Sequence, residues 1–85
     1  MKQIKATTEA TIWGTRNAWS LTEGPEAVQS KRVTVEVEIQ GSRKAGYNLV
    51  ISPDGFFTAD YWYPTFEDVL ADALDLFGLE EADFE

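Results

Sequence analysis

Strict alternation of apolar and polar residues marks the middle of the chain. In residues 31–40, KRVTVEVEIQ, three valines and one isoleucine point to one side and polar side chains point to the other. This period of two is typical of a β-strand with one face in the core and one in water. Residues 46–53, GYNLVISP, alternate in the same way, and the polar segment GSRKAG between the two begins and ends with glycine. We therefore predict a β-hairpin.

Further strands are predicted on both sides of this hairpin. SPDG, residues 52–55, has the composition of a type I turn, so FFTADYW, residues 56–62, should fold back as a third strand. In the N-terminal third, IKATTEATIW and AWSLTE are rich in residues that favour strands, and GTRN between them resembles a turn. We predict one or two more strands there.

The C-terminal third has the pattern of one amphipathic helix. Thr65 is placed to cap it, Asp68 can complete a capping box, and Gly78 fits a left-handed stop. The apolar residues between them recur at helical spacing. They are Phe66, Val69, Leu70, Ala73, Leu74 and Phe77. The pattern predicts a helix over about residues 66–77.

These elements predict one α+β domain over residues 1–85. We expect an antiparallel β-meander of three to five strands with one C-terminal α-helix packed on one face. Apolar residues make up 44% of the chain, which is enough for one packed core. The acidic segment 79–85 is predicted to be a frayed tail.

Composition narrows the possible chemistry. The chain has no cysteine and no histidine, which excludes disulfides, thiolate zinc sites, cysteine or serine–histidine nucleophiles and imidazole acid–base catalysis. No glycine-rich phosphate loop occurs, and the carboxylates fall on faces predicted to be exposed rather than in a cleft. We therefore predict a protein that is not an enzyme and that has no cofactor and no metal site.

The chain shows no sign of a membrane segment. No apolar run approaches the roughly 18 residues that a membrane-spanning helix needs. The N-terminal MKQIKATTEA has no hydrophobic stretch of the signal-peptide kind. We expect a cytoplasmic protein that does not bind membranes.

Charge is distributed very unevenly along the chain. All seven basic residues lie within residues 1–44, whereas residues 45–85 contain ten acidic residues and no base. The net charge is −8. Because nucleic acids and anionic membranes repel carboxylates, we predict no direct nucleic-acid binding, and a basic protein surface is the natural complement.

Three aspartates form a row on the predicted helix. Asp68, Asp72 and Asp75 are spaced four and three residues apart, which places them on one side, away from the apolar stripe. Their mutual repulsion costs some helix stability, and Asp75 also opposes the helix dipole. Two interpretations stay open: the row solubilises an exposed face, or it binds a basic partner together with Glu80 and Glu81. A divalent-metal site is a minor third possibility, because the chain lacks the spacing of a calcium loop.

Three adjacent aromatic residues precede the helix. In a strand Tyr61 and Tyr63 share one side and Trp62 occupies the other. We expect Trp62 to close one end of the core while the tyrosine rings cover its rim. Alternatively, Tyr61 or Tyr63 supplies an aromatic anchor for a partner.

Residues 46–81 resemble a pattern found in small, acidic, uncharacterised bacterial proteins. The pattern contains GYNLVISPDGFF and then DYWYPTFEDVLADALDLFGLEE, in which a tryptophan and a threonine-capped acidic helix lead to Phe-Gly. Some proteins of this kind are similar to immunity proteins of toxin systems or to phage-associated inhibitors. The resemblance implies no binding residues.

Three functions remain open from the sequence. The first is a non-catalytic protein-binding domain, immunity-like or inhibitory, that engages a basic partner surface through the acidic helix face and tail. The second is a nucleic-acid mimic that occupies a DNA- or RNA-binding groove. The third is a structural domain that self-associates through an edge strand. We expect the protein to be a monomer or a weak homodimer.

Overall fold

The alternating and helical patterns of the sequence correspond to the elements of the computed structural model, which describes residues 2–24 and 29–85. The strands are β1 (Lys2–Gly14), β2 (Trp19–Ser20), β3 (Ser30–Ser42), β4 (Gly46–Pro53) and β5 (Ala59–Tyr63). The helix α1 spans Phe66–Phe77, and a 3-10 helix follows at Glu81–Asp83. Among the described elements, no helix has the length and apolarity needed to span a membrane.

All five strands form one antiparallel sheet in the order β2-β1-β3-β4-β5. The sheet curls into a half-barrel, and the single α-helix follows it in the chain, so the predicted α+β class is confirmed. Strands β3, β4 and β5 form a meander, while β1 lies between β2 and β3. The predicted strands of the N-terminal third are present as β1 and β2.

The core lies between the concave side of the sheet and the helix. Ile39 of β3 faces Leu49 of β4, and Val37 faces Ile51 in the same register. All four side chains are fully buried, as the alternating pattern of both strands requires. The helix contributes Val69 and Ala73 to the same cluster.

The Thr65 cap and the Gly78 end of α1 are confirmed, but the described residues show no bond from the Thr65 N–H to the Asp68 carboxylate, so the predicted capping box is only half formed. The hydroxyl of Thr65 accepts a hydrogen bond of 3.1 Å from the backbone N–H of Asp68. At the other end Gly78 is left-handed, with φ of 70°. The N–H of Gly78 donates to the carbonyl of Leu74 at 2.8 Å, which is the bond of an αL helix end, and the N–H of Leu79 donates to the carbonyl of Ala73 at 3.3 Å.

The apolar stripe of α1 differs from the prediction at one position. Leu74, which the spacing places in the stripe, is 51% exposed. Leu76 is half-buried instead and packs against the core. The buried face is centred on Val69 and Ala73, so the side of the helix that carries Leu76 turns toward the sheet and Leu74 turns toward solvent.

The turn between β4 and β5 is one residue later than predicted. The N–H of Phe56 donates to the carbonyl of Pro53 at 3.1 Å, so the turn spans 53–56 rather than 52–55. Pro53 is still part of β4 and buried. Gly55 has a φ of 84°, a conformation that residues with a Cβ rarely adopt.

The acidic C-terminal segment is held against the sheet. Leu79 and Phe84 are buried in the core cluster. The carboxylate of Asp83 accepts a hydrogen bond of 2.8 Å from the N–H of Glu80, which orders the 3-10 helix. The backbone of Glu85 pairs with that of Lys5 in β1. This packing differs from the frayed tail that the sequence predicts for residues 79–85, because two apolar side chains anchor the segment.

Candidate functional site

The acidic row of α1 borders the sheet edge at β5. Asp68 and Asp75 are exposed, as predicted. Asp72 is half-buried, because it lies on the flank of the helix that faces β5. The helix thus brings the three aspartates to one side, as their spacing requires, but the middle one points at the protein rather than away from it.

Tyr63 explains the position of Asp72. The Tyr63 hydroxyl donates a hydrogen bond to Oδ2 of the Asp72 carboxylate. Burial, this hydrogen bond and the charge of Asp72 all raise the pKa of Tyr63 well above its usual range. Tyr63 is half-buried and joins the helix flank to β5, so its position favours a structural role over that of a free anchor.

The other predicted acids of the C-terminal segment are exposed. Glu80 and Glu81 both face solvent, and the ordered 3-10 helix fixes their backbone. Among residues 2–24 and 29–85 the structure contains one ion pair, between Lys5 and Glu36 at 3.9 Å. The carboxylates that follow residue 45 therefore have no cationic partner within the described part of the chain. Their negative charge remains available to a partner.

Tyr61 and Trp62 occupy opposite faces of the sheet, as predicted. Tyr61 pairs with buried Leu49, and Trp62 pairs with half-buried Asn48 on the outer face. The expectation that Trp62 closes the core is wrong, because this side chain is 59% exposed. Its indole ring lies across Gly46, and its Nε1 donates to the carbonyl of Ala45 at 3.1 Å.

Tyr61 lies at a groove that the sequence did not predict. The groove has a volume of about 320 Å³ and runs between the flank of α1 and the residues around β2. Tyr61 itself is 52% exposed, although it is on the same side of β5 as the core. The described residues that line it are Trp19, Ser20, Leu21, Thr22, Tyr61, Asp72 and Leu76.

The curl of the sheet creates this groove. Strands β2 and β5 are at opposite ends of the strand order, yet the indole Nε1 of Trp19 donates to the carbonyl of Phe57 at 2.8 Å. The N–H of Phe57 in turn donates to the carbonyl of Arg16 at 3.0 Å. No periodicity in the sequence reports that these distant segments meet. The local signal in this region is the composition of AWSLTE, which favours a strand but does not predict a groove.

Two of the seven basic residues line a different groove. A second groove, of about 510 Å³, is lined by Lys2 and Arg43 near the start of α1. The ammonium of Lys2 lies 4.3 Å from the centre of the Phe66 ring, in a cation–π contact. Glu67 of α1 lines the same groove, and among the described residues neither Lys2 nor Arg43 forms an ion pair with the acidic row.

One carboxylate is covered on the outer face of the sheet. Glu38 is 9% exposed, and its Oε2 accepts hydrogen bonds from Nε2 of Gln3 at 2.7 Å and of Gln40 at 2.8 Å. These bonds, with a smaller contribution from the charge of Lys5, lower the pKa of Glu38 against the opposing effect of burial. The carboxylate is therefore ionised and satisfied, which fits a structural role.

The open edge of β1 bears on self-association. Within the described residues β2 pairs with β1 only at Trp13 and Gly14, and Glu85 bonds to Lys5. By the alternation of the ladder, the backbone groups of Thr7, Glu9 and Thr11 point to the same edge as those of Lys5. Glu9 lies in the middle of this edge and is exposed. A charge at the centre of an edge strand disfavours pairing with a second copy.

The described residues contain no group of three carboxylates placed to hold a metal ion.

The structure brings together Asp68, Asp72, Asp75, Tyr61 and Tyr63 on one flank of α1, with Glu80 and Glu81 in the segment that follows. Comparison of the chain with family models, with curated proteins and with solved structures gives no match.

Proposed function

We propose that this chain is a non-catalytic protein-binding domain that engages a basic surface of another protein through the solvent face of α1 and the 3-10 helix. The observation that carries the proposal is the set of exposed carboxylates that have no cationic partner among the described residues, represented by Asp68, Asp75 and Glu81. Charges of one sign held on ordered backbone steer an oppositely charged partner and fix its orientation.

Apolar surface beside the acids supports the same function. Leu74 is 51% exposed and adjoins Asp75, and Tyr61 is 52% exposed beside Asp72. Interfaces combine such apolar and aromatic side chains with a charged rim. Residues 46–81 resemble small acidic bacterial proteins, some of which are similar to immunity proteins or phage-associated inhibitors, and in keeping with this resemblance we propose that binding inhibits the partner.

Affinity selection tests the proposal. The protein is used to capture partners from the cells that produce it, and the affinity for each purified partner is then measured at 50 and about 300 mM salt, a range over which exposed charge interactions are increasingly screened. We expect an affinity that falls with salt. The triple variant Asp68→Asn, Asp75→Asn and Glu81→Gln should weaken binding further, because it removes three charges from the proposed surface.

A matched variant removes three exposed charges elsewhere. Glu23→Gln, Asp54→Asn and Asp60→Asn change the net charge by the same amount and lie outside the solvent face of α1 and the 3-10 helix. Equal loss of affinity in the two triple variants would show that only total charge matters and would refute the proposed surface. If the partner binds nucleic acid and the protein competes for that site, the protein acts as a nucleic-acid mimic.

A further inference from the structure

The groove beside Tyr61 has the lining of a site for one basic side chain. We propose that it receives a lysine or arginine side chain of the basic partner, with the alkyl stem along the aromatic walls and the cation at Asp72. This inference rests on the proposed function and specifies how the partner is anchored. Its support comes from the walls, the charge and the hydrogen bonds of the groove.

The walls are suited to an alkyl stem and a cation. The indole N–H of Trp19 is already bonded to the carbonyl of Phe57, so Trp19 offers the groove only its ring surface. Tyr61 adds a second ring, and half-buried Leu76 adds aliphatic surface. Lysine and arginine pack their methylene stems on such surfaces, and aromatic faces attract their cations.

Among the described residues that line this groove, Asp72 is the charged one. Tyr63 donates to its Oδ2, and within residues 2–24 and 29–85 no group donates a hydrogen bond to Oδ1. The Tyr63 hydroxyl is protonated at neutral pH, as tyrosine ordinarily is, and its raised pKa extends this state to more alkaline pH, so it orients the carboxylate without adding charge. The Asp72 carboxylate is therefore held in place with one oxygen free for a cation.

The rest of the lining does not favour another class of ligand. The hydroxyls of Ser20 and Thr22 lie 3.3 Å apart, and Ser20 also accepts from the N–H of Thr22 at 3.1 Å. These rim hydroxyls thus bond to each other. Exposed Asp68 and Asp75 on the same flank of α1 repel an anion. The volume of about 320 Å³ is at the lower end of small-ligand sites, which suits one side chain.

Small analogues test the groove without the partner. We would titrate ¹⁵N-labelled protein at constant ionic strength with n-butylammonium and n-propylguanidinium, which represent the two side chains, and with n-pentanol as a neutral analogue. The indole N–H signals of Trp19 and Trp62 report the groove and the outer face of the sheet. We expect both cations to shift the Trp19 signal saturably and n-pentanol to shift it much less.

Variants locate the interaction. Asp72→Asn keeps an oxygen that accepts from Tyr63, and it should weaken cation binding about tenfold through loss of a charge-assisted hydrogen bond. Asp60→Asn is the matched control, because Asp60 is exposed on the outer face of β5 and outside the groove. Tyr61→Ala should weaken binding about two- to fivefold, whereas Tyr61→Phe, which keeps the ring, should bind as the wild type does.

Several results would overturn the inference. These are an unshifted Trp19 signal, an equal response to n-pentanol, or equal weakening by Asp60→Asn and Asp72→Asn. The titration contains no partner. Such a result therefore refutes the cation site in the groove, but the proposed function stands if the variant Asp68→Asn, Asp75→Asn and Glu81→Gln still weakens partner binding. Conversely, if this triple variant binds the partner as the wild type does, the proposed function is refuted even when the groove binds cations.

Discussion

Lys5 and Glu85 exchange two backbone hydrogen bonds, from Lys5 N to Glu85 O at 3.0 Å and from Glu85 N to Lys5 O at 2.7 Å. The pair joins the C-terminal segment to the edge of β1. Phe84, immediately before it, is buried in the core. The acidic segment is thus a packed part of the domain.

Truncating Phe84 tests this packing. Phe84→Ala should lower the free energy of unfolding by about 3 kcal/mol, because it removes a buried aromatic ring. Urea denaturation measures the change. Ala82→Ser, in the exposed part of the same 3-10 helix, is expected to change stability by less than about 0.5 kcal/mol. Similar stability of the wild type and Phe84→Ala would mean that the segment does not contribute to folding.

Tyr63→Phe should destabilise the protein by about 1–2 kcal/mol, since it leaves the half-buried Asp72 carboxylate without its donor. The effect depends on pH in a defined direction. The pKa of Tyr63 is raised in the folded state, so its contribution is complete below the unfolded tyrosine value of about 10 and is lost as pH rises above it.

Urea denaturation between about pH 8 and pH 11 measures this alkaline loss of stability, across the range in which unfolded tyrosine ionises. Tyr63→Phe should show a smaller loss than the wild type. Tyr61→Phe is the control, because Tyr61 lies beside Tyr63 in the same strand and is half-exposed. An unchanged alkaline loss in Tyr63→Phe would contradict the role assigned to the Tyr63 hydroxyl.

Glycines 46 and 55 allow the contact of Trp62 to be measured. Both have a φ of 84°, but a Cβ at Gly46 would lie 2.5 Å from three atoms of the Trp62 ring, whereas one at Gly55 would meet nothing within 4 Å. Gly55→Ala should cost about 1 kcal/mol for backbone strain alone. Gly46→Ala should cost about 1–3 kcal/mol more, because the ring must move.

A double-mutant cycle separates the cost of backbone strain at Gly46 from the cost of moving the Trp62 ring. In a Trp62→Ala background Gly46→Ala should cost about as much as Gly55→Ala does, near 1 kcal/mol, because only backbone strain remains. Thermal or urea denaturation gives each value. If Gly46→Ala costs the same with and without Trp62, the ring does not restrict this position.

Glu38 should make stability depend on acid pH. Its pKa is lowered in the folded state by the amides of Gln3 and Gln40, so its contribution is complete above the unfolded glutamate value of about 4.3 and is lost as pH falls below it. In Glu38→Gln the free energy of unfolding should fall less than in the wild type as the pH is lowered. Urea denaturation from about pH 3 to pH 7, a range that includes the unfolded glutamate pKa, measures the difference. Glu9→Gln, on the exposed edge, is the control, and an equal effect of both variants would refute the specific role of Glu38.

Glu9 should keep the open edge of β1 from pairing with a second copy. Sedimentation velocity should show a monomer for the wild type and a concentration-dependent dimer for Glu9→Val, which replaces the central charge by a residue that favours strands. Glu23→Val, an exposed charge outside the strands, should leave the protein monomeric. A wild-type dimer at low concentration would instead support the self-associating function.

The sequence predicted those features that depend on neighbouring residues. The alternation in β3 and β4 and the Thr65 and Gly78 ends of α1 are local signals, and the structure has all of them. The side of the helix that carries Leu76 was missed, because two flanks of a short amphipathic helix have similar hydrophobicity. Contact with the curled sheet decides between Leu74 and Leu76.

The candidate site was predicted only in part. Spacing alone placed the three aspartates on one side of α1, but it could not show that Tyr63 reaches Asp72. The groove depends on a contact between Trp19 and Phe57, which are 38 residues apart. Such contacts follow from the curvature of the whole sheet, for which a single sequence carries no local pattern.

The covered carboxylate of Glu38 also selects a strand register. On the inward face of β1, Ala6 and Ala10 are too small to fix the alignment with β3 by themselves, whereas Ile12 is fully buried and Ile4 packs against the core. A shift of two residues that placed Gln3 opposite Ser42 would keep every side chain on its present face. It would move Gln3 away from Glu38, leaving the carboxylate with one amide in place of two. The polar face of the sheet therefore opposes the same shift that would displace Ile4 and Ile12 from their positions in the core.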